Sequence, residues 1–125
     1  MKELLAIGLG GFCGALARHG FNVALKRLAD FPWNTFAANM TGCLLIGVLM
    51  ALVLEQKMTS GPLTLFLATG FLGSLTTFST FSLETFEYLQ HGKIGAAAAN
   101  ILLNVLIGLF AVWLGMSLVR TTAGT

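Results

Sequence analysis

The chain has 125 residues, 56% of them hydrophobic, with 15 glycines and only seven basic and five acidic side chains, so that 10% of it is charged. A soluble domain carries about 25% charged residues, and a net charge of +2 is too small to hold a polyanion. The composition excludes a soluble globular enzyme, a disordered tail and a nucleic-acid binder; it leaves a small all-α membrane protein, one transmembrane domain over residues 1–125, lying almost wholly within a bilayer.

A spanning helix needs about 20 mostly apolar residues. The first qualifying stretch is residues 4–25, followed by Lys26 and Arg27. Glycines at 8, 10, 11 and 14 interrupt it, and no short signal-peptide core with a cleavage site stands out, so it reads as a retained first helix. Gly10 and Gly14 form a GxxxG pair of the kind that brings helices close. Cys13, and Cys43 in the second span, match neither a metal-ligand spacing nor a CxxC and read as small hydrophobes. Arg18 lies about 21 Å along the helix from Leu4, at ~1.5 Å per residue. It either snorkels to the far interface or sits beside a polar partner or an anion path.

The second stretch is residues 35–54, after a loop that holds Pro32 and Trp33 and before Glu55-Gln56-Lys57. Thr35 and Asn39 are one turn apart and share a face. An amide in hydrocarbon is either an interhelical hydrogen-bonding group or a ligand donor that faces a pore.

The third stretch, residues 63–89, follows Gly61-Pro62 and is the most unusual. Seven of the twelve residues from Ser74 to Thr85 are Ser or Thr. Hydroxyls bond backbone carbonyls and bend or open helices, and Gly70 and Gly73 loosen the same region. The expectation is a break in this helix near the bilayer midplane, where freed backbone groups build ion sites; the other reading is a helix whose hydroxyls bond its own carbonyls. Phe78 and Phe81 share a face. They serve either as packing or as positive ring edges turned toward an anion. Glu84, one turn on, is either an interfacial charge or a vestibule group.

The fourth stretch, residues 94–119, begins after His91-Gly92-Lys93. Ala97, Asn100, Asn104, Gly108, Ala111 and Gly115 recur on it at three- and four-residue steps. That small and polar stripe serves either helix packing or a polar track. Trp33, Tyr88 and Trp113 read as interface anchors near span ends. Lys2, Lys57 and Arg120 flank one membrane face, and Lys26, Arg27 and Lys93 the other. With no bias between the faces, the chain is expected either to insert both ways round and pair as an antiparallel dimer or to hold a weak bias that the span boundaries hide. No catalytic constellation appears: His19 and His91 are far apart, and no base is in register with the hydroxyl run.

At these residues the chain resembles the Fluc (CrcB) family of fluoride channels. The run from Gly73 to Glu84 looks like the family's TTFSTFS-x-E signature, Gly14 to Arg18 resembles its GA-x-x-R, and Thr35 to Gly42 its T-x-x-x-N-x-x-G. The resemblance covers essentially the whole chain. It implies an antiparallel, dual-topology homodimer with two fluoride pores at the dimer interface. It implies a central Na+, structural and not transported, held by the backbone carbonyls of Gly73 and Thr76. The pore phenylalanines match Phe78 and Phe81, the pore asparagine Asn39, and the hydroxyl track Ser79 and Thr80. Thr35 and Glu84 match a vestibule pair, and Arg18 the first-helix arginine. Asn100 and Asn104 stand where some members have hydroxyl or tyrosine side chains, a possible polar track. The function implied is passive fluoride export that limits fluoride toxicity, across the cytoplasmic membrane of a prokaryote. The alternative is a small dual-topology multidrug/proton antiporter. That chemistry needs a carboxylate in mid-span, and Glu84 is the nearest candidate.

Overall fold

The computed structural model describes residues 1–25 and 31–122, and these form helices only. Lys26 and Arg27, on which part of the charge balance rests, lie outside the described residues, as do Ala29 and Asp30. Helix α1 is Lys2–Leu25 and α2 is Trp33–Leu54. Helix α3 covers residues 62–75. It opens at Pro62–Thr64, is wound as π-helix over Leu65–Leu72, and closes with Gly73–Leu75. Helix α4 is Phe78–Gln90. Helix α5 covers residues 94–122, with a π-helical turn at Leu103–Ile107 between Ile94–Leu102 and Gly108–Thr122. Four spans are long and apolar enough to cross a membrane: Lys2–Leu25, Trp33–Leu54, Pro62–Gln90 and Ile94–Arg120.

Local chemistry sets the ends. Pro62 sits at the first helical position of α3, where its missing N–H is not needed. Helix α4 is closed by Gly92 at φ +69°, with the Lys93 N–H reaching back to the Tyr88 carbonyl at 2.8 Å. Helix α2 closes in the same way: Gln56 takes φ +55° and the Lys57 N–H bonds the Leu52 carbonyl at 2.9 Å. Both are left-handed caps that satisfy terminal carbonyls. Trp33 opens α2 and Tyr88 lies near the end of α4, but Trp113 lies two turns inside α5, 60% exposed and tilted over Phe110.

Helix α1 packs on α3, α2 on the second half of α5, and α4 on the first half of α5. The first two crossings are made by glycine. Gly10 and Gly14 are the buried residues of α1. A Cβ on Gly10 would overlap the Phe66 carbonyl oxygen, and one on Gly14 the Phe71 carbonyl oxygen. From the other side, Gly70 faces Ile7 and Gly10. In the second crossing, Gly47 abuts the Val112 carbonyl and Gly115 the Leu44 carbonyl. In lipid, apolar surface alone does not drive helices together, so this close backbone approach supplies the dispersion contact that does. Ala38, Leu49, Leu72 and Leu75 form the core between them. Leu4, Leu5, Leu9, Phe12 and Leu16 on α1, like Leu109 and Phe110 on α5, are exposed, as side chains that face lipid are.

Between α3 and α4 the backbone is extended at two residues, Thr76 (φ −78°, ψ 155°) and Thr77 (φ −149°, ψ 108°). Thr76 ends α3 by directing both its N–H (3.1 Å) and its hydroxyl (2.9 Å) at the Leu72 carbonyl. Thr77 starts α4 as its N-cap, its Oγ1 accepting the Thr80 N–H at 3.2 Å. Thr is a preferred residue at that position for this reason. The methyl of Thr76 lies over Gly42 of α2, where a Cβ would collide with it.

Candidate functional site

The extended pair forms one wall of an open groove of about 460 Å³. Asn39, Gly42 and Cys43 of α2 line it, with Gly73 of α3, Phe78 and Phe81 of α4, and Asn104 of α5. None of its lining side chains is charged. Its polarity comes from amides, hydroxyls and the backbone. The N-terminal end of α4 also opens there, and the aligned peptide dipoles give such an end partial positive charge.

Asn39 organises the groove. Its Oδ1 accepts the Thr77 N–H at 2.9 Å, and its Nδ2 donates to Asn104 Oδ1 at 3.2 Å. In an unbroken helix the Thr77 N–H would serve the Gly73 carbonyl, and the Thr80 N–H would serve the Thr76 carbonyl. Here the first goes to Asn39 and the second to Thr77 Oγ1. The carbonyls of Gly73 and Thr76 therefore lose their helical donors at neighbouring positions. Two such carbonyl oxygens are hard donors of the kind that suits a hard cation.

Phe78 and Phe81 sit with ring centroids 5.7 Å apart, tilted by 47°. Phe78 is 80% exposed, projecting from the flank of the chain where the groove opens, while Phe81 is half-buried. Ser79 and Thr80 gather round the cap: Thr77 Oγ1 donates to Thr80 Oγ1 at 2.8 Å and lies 3.4 Å from Ser79 Oγ. The structure thus brings Asn39, Phe78, Phe81 and Asn104 to one groove, and Ser79 and Thr80 to the first turn of α4 beside it. Arg18 of α1 is half-buried.

Thr35 and Glu84 meet farther along α4. The Thr35 hydroxyl donates to Glu84 Oε1 at 2.6 Å, while Glu84 Oε2 is buried without a hydrogen-bond partner among the described residues. Glu84 also lines a second cavity of about 370 Å³, with Phe31, Glu87, Tyr88, His91 and Lys93. Thr35→Val leaves both carboxyl oxygens without this partner. An unsatisfied buried group of this kind costs about 1–3 kcal/mol. The variant is expected to unfold at a lower temperature in detergent, and Thr35→Ser to match the parent.

Sequence reasoning missed Thr77 as the residue that diverts the helical bonds. Its signal was there: a Thr directly before an amphipathic stretch is a helix-start mark, hidden among other hydroxyls. It also treated Asn100 and Asn104 alike, whereas only Asn104 lines the groove and Asn100 is 1% exposed behind it.

The sequence has relatives along most of its length. Residues 5–116 match the family described as CrcB-like protein, Camphor Resistance (CrcB). A protein of Hydrogenovibrio crunogenus named fluoride-specific ion channel FluC is 47% identical over 118 residues, covering 91% of this chain and 88% of its own length. Proteins of the same name are 44% identical in Salinibacter ruber (92% and 87% covered) and 41% identical in Dehalococcoides mccartyi (100% and 100% covered).

Proposed function

The chain belongs to the CrcB-like family, and from that premise we propose that it is a fluoride-selective ion channel, a transporter and not an enzyme, which passively exports fluoride and limits its toxicity. The observation that carries this reading is the uncharged groove in which the Asn39 and Asn104 amides, the α4 N-terminus and the Phe78 and Phe81 rings converge. Fluoride is small and strongly hydrated, so a path for it must offer many hydrogen-bond donors. It must also release the ion, so no single site is very tight. Neutral amide N–H groups, a helix N-terminus and positive ring edges meet both demands, where a fixed cation would hold the anion too long. Hydrogen fluoride enters cells uncharged and dissociates inside, and the negative interior then drives the anion out through a passive path.

The working unit in this reading is an antiparallel, dual-topology homodimer with two pores, in the cytoplasmic membrane of a prokaryote. Support comes from the balanced basic residues and from the 80% exposure of Phe78 at the open side of the groove, which a second copy would cover. The Gly73 and Thr76 carbonyls would hold a structural Na+, two from each copy. Such an ion would satisfy the carbonyls freed at the extended pair, set apart from the anion path, and would not be transported. Thr35 and Glu84 would stand at a vestibule, with Arg18 in support, and Ser79 and Thr80 would extend the donor track beyond the rings.

Purified protein in liposomes, followed with a fluoride electrode, is expected to release fluoride and retain chloride. Phe78→Ile and Phe81→Ile are expected to slow fluoride release. Unchanged release in both variants removes the ring edges from the mechanism, and no fluoride release from the parent overturns the function.

A further inference from the structure

Five hydrogen bonds run in one line from the start of α4 through α2 and α5 and back to α4. The Thr77 N–H donates to Asn39 Oδ1 at 2.9 Å, and Asn39 Nδ2 to Asn104 Oδ1 at 3.2 Å. Asn104 Nδ2 then donates to Asn100 Oδ1 at 3.0 Å, with a branch from its other N–H to the Asn100 backbone carbonyl at 3.0 Å, and Asn100 Nδ2 donates to Thr85 Oγ1 at 2.9 Å. Thr85 Oγ1 donates to the Phe81 carbonyl at 2.7 Å.

The direction of this line is forced. A peptide N–H only donates and a carbonyl only accepts. The Thr77 N–H therefore turns the oxygen of Asn39 toward itself. At the other end the single proton of the Thr85 hydroxyl goes to the Phe81 carbonyl, so Thr85 accepts from Asn100 and turns the nitrogen of Asn100 toward itself. A primary amide has oxygen on one arm and NH2 on the other, so fixing one arm fixes both. Flipping any one of the three amides would set oxygen against oxygen, or N–H against N–H, at two contacts together. The line is thus held in one polarity by backbone groups at both ends.

Asn39 and Asn104 line the groove, whereas Asn100 and Thr85, 1% and 7% exposed, stand behind it. We propose that Asn100, set by Thr85, is a positioning residue for conduction: its Oδ1 and its backbone carbonyl engage both Asn104 N–H groups and turn the Asn104 oxygen toward Asn39, which reinforces the hold of the Thr77 N–H on the Asn39 amide, so that Asn39 turns an N–H and not its oxygen to an anion in the groove. Asn39 Nδ2 also donates to the Thr77 carbonyl at 3.5 Å, the longest bond of the set and so the one an anion displaces at least cost. A flipped Asn39 would present oxygen there and repel the ion. This inference rests on the fluoride-channel reading.

A packing role for Asn100 would ask only for a side chain of its volume, which leucine approximates. Asn100→Leu and Thr85→Val are therefore expected to slow fluoride release from liposomes by about tenfold or more, as loss of an orienting bond implies, while eluting like the parent in detergent. Thr85→Ser, which keeps the hydroxyl, is expected to release fluoride at the parental rate. Adding Asn100→Leu to Asn104→Leu is expected to bring no further loss, because Asn100 acts only through Asn104. A folded Asn100→Leu that releases fluoride within about twofold of the parent overturns the proposal, as do losses that multiply in the double variant. If Asn100→Leu does not fold, the Thr85→Val and Thr85→Ser pair decides. Side-chain amide NMR of asparagine-labelled protein in nanodiscs gives a readout independent of transport. There the Asn39 and Asn104 signals are expected to shift in Thr85→Val and not in Thr85→Ser, and unshifted signals in Thr85→Val count against the line. A parent that releases no fluoride overturns the channel reading, and the amide signals then decide the line by themselves.

Discussion

Gly14→Leu is expected to yield no folded protein, and Gly14→Ala a clearly less stable one. A Cβ at position 14 falls on the Phe71 carbonyl oxygen, with Phe71 C at 2.9 Å and Cα at 3.0 Å. These are backbone atoms of α3, so no side-chain rotation relieves the overlap and the two helices must part. Overpacking by a single group in a closed core costs about 1–3 kcal/mol. Parting α1 from α3 loses more, because the contact continues through Gly10 against Phe66 and through Gly70 against Ile7 at 2.6 Å. The control is Gly8, where an added Cβ meets nothing within 4 Å. Gly8→Ala is expected to hold or raise stability, since alanine is favoured over glycine in a helix by about 1 kcal/mol. Recovery of a monodisperse species in detergent and the temperature of its aggregation compare the three. A Gly14→Leu protein that behaves like the parent would show that α1 and α3 do not cross here.

The crossing was legible because GxxxG is a statement about backbone distance, and glycine is the residue that permits it. Gly10 and Gly14 mark it on α1, and Gly70 marks it on α3. The four spans were legible too, since in lipid a helix must satisfy its own backbone and its apolar length follows from bilayer thickness. The wide turns at Leu65–Leu72 and Leu103–Ile107 were not. They rotate the helix face, and no residue type demands that. On α5 the stripe still carried a trace of it: the steps from Asn100 to Asn104 to Gly108 are both of four residues, where the turn widens. Among the site residues, Asn39, Phe78 and Phe81 stood out because amides and paired rings are rare enough in a span to draw notice. Thr77 did not, because a hydroxyl's role depends on which carbonyl or N–H it meets, and that is set by the chain's path. The same ambiguity hid the difference between Asn104 in the groove and Asn100 behind it. Their spacing places both on one face, and only the packing of α4 against α5 decides which one is covered.

Asn39→Asp is expected to abolish fluoride release while leaving the fold in place, and Asn39→Leu to lose both. The two variants separate the two functions of one amide. Asn39 Oδ1 holds the Thr77 N–H at 2.9 Å, which fixes the extended pair and the start of α4. An aspartate keeps an oxygen at that point, so Thr77 stays bonded and α4 starts at the same residue. Its other oxygen replaces the NH2 that met Asn104 Oδ1 at 3.2 Å, and it faces the groove with no N–H to give. Two oxygens then oppose each other where one had been donating. An added negative charge in a groove lined by no cation also repels the ion the groove would carry. At 4 Å two like charges cost about 4 kcal/mol at an effective dielectric constant near 20, enough by itself for a drop of about a hundredfold or more at 1.4 kcal/mol per tenfold. Leucine matches asparagine in volume but bonds nothing. It leaves the Thr77 N–H unpaired and part-buried, at about 1–3 kcal/mol, and frees it to bond the Gly73 carbonyl and draw α3 and α4 into one continuous helix. The fluoride electrode reads the first effect, and amide hydrogen exchange at Thr77 the second: slow exchange in Asn39→Asp with no fluoride release places the defect in conduction. Release at the parental rate from Asn39→Asp would show that the anion does not pass this amide.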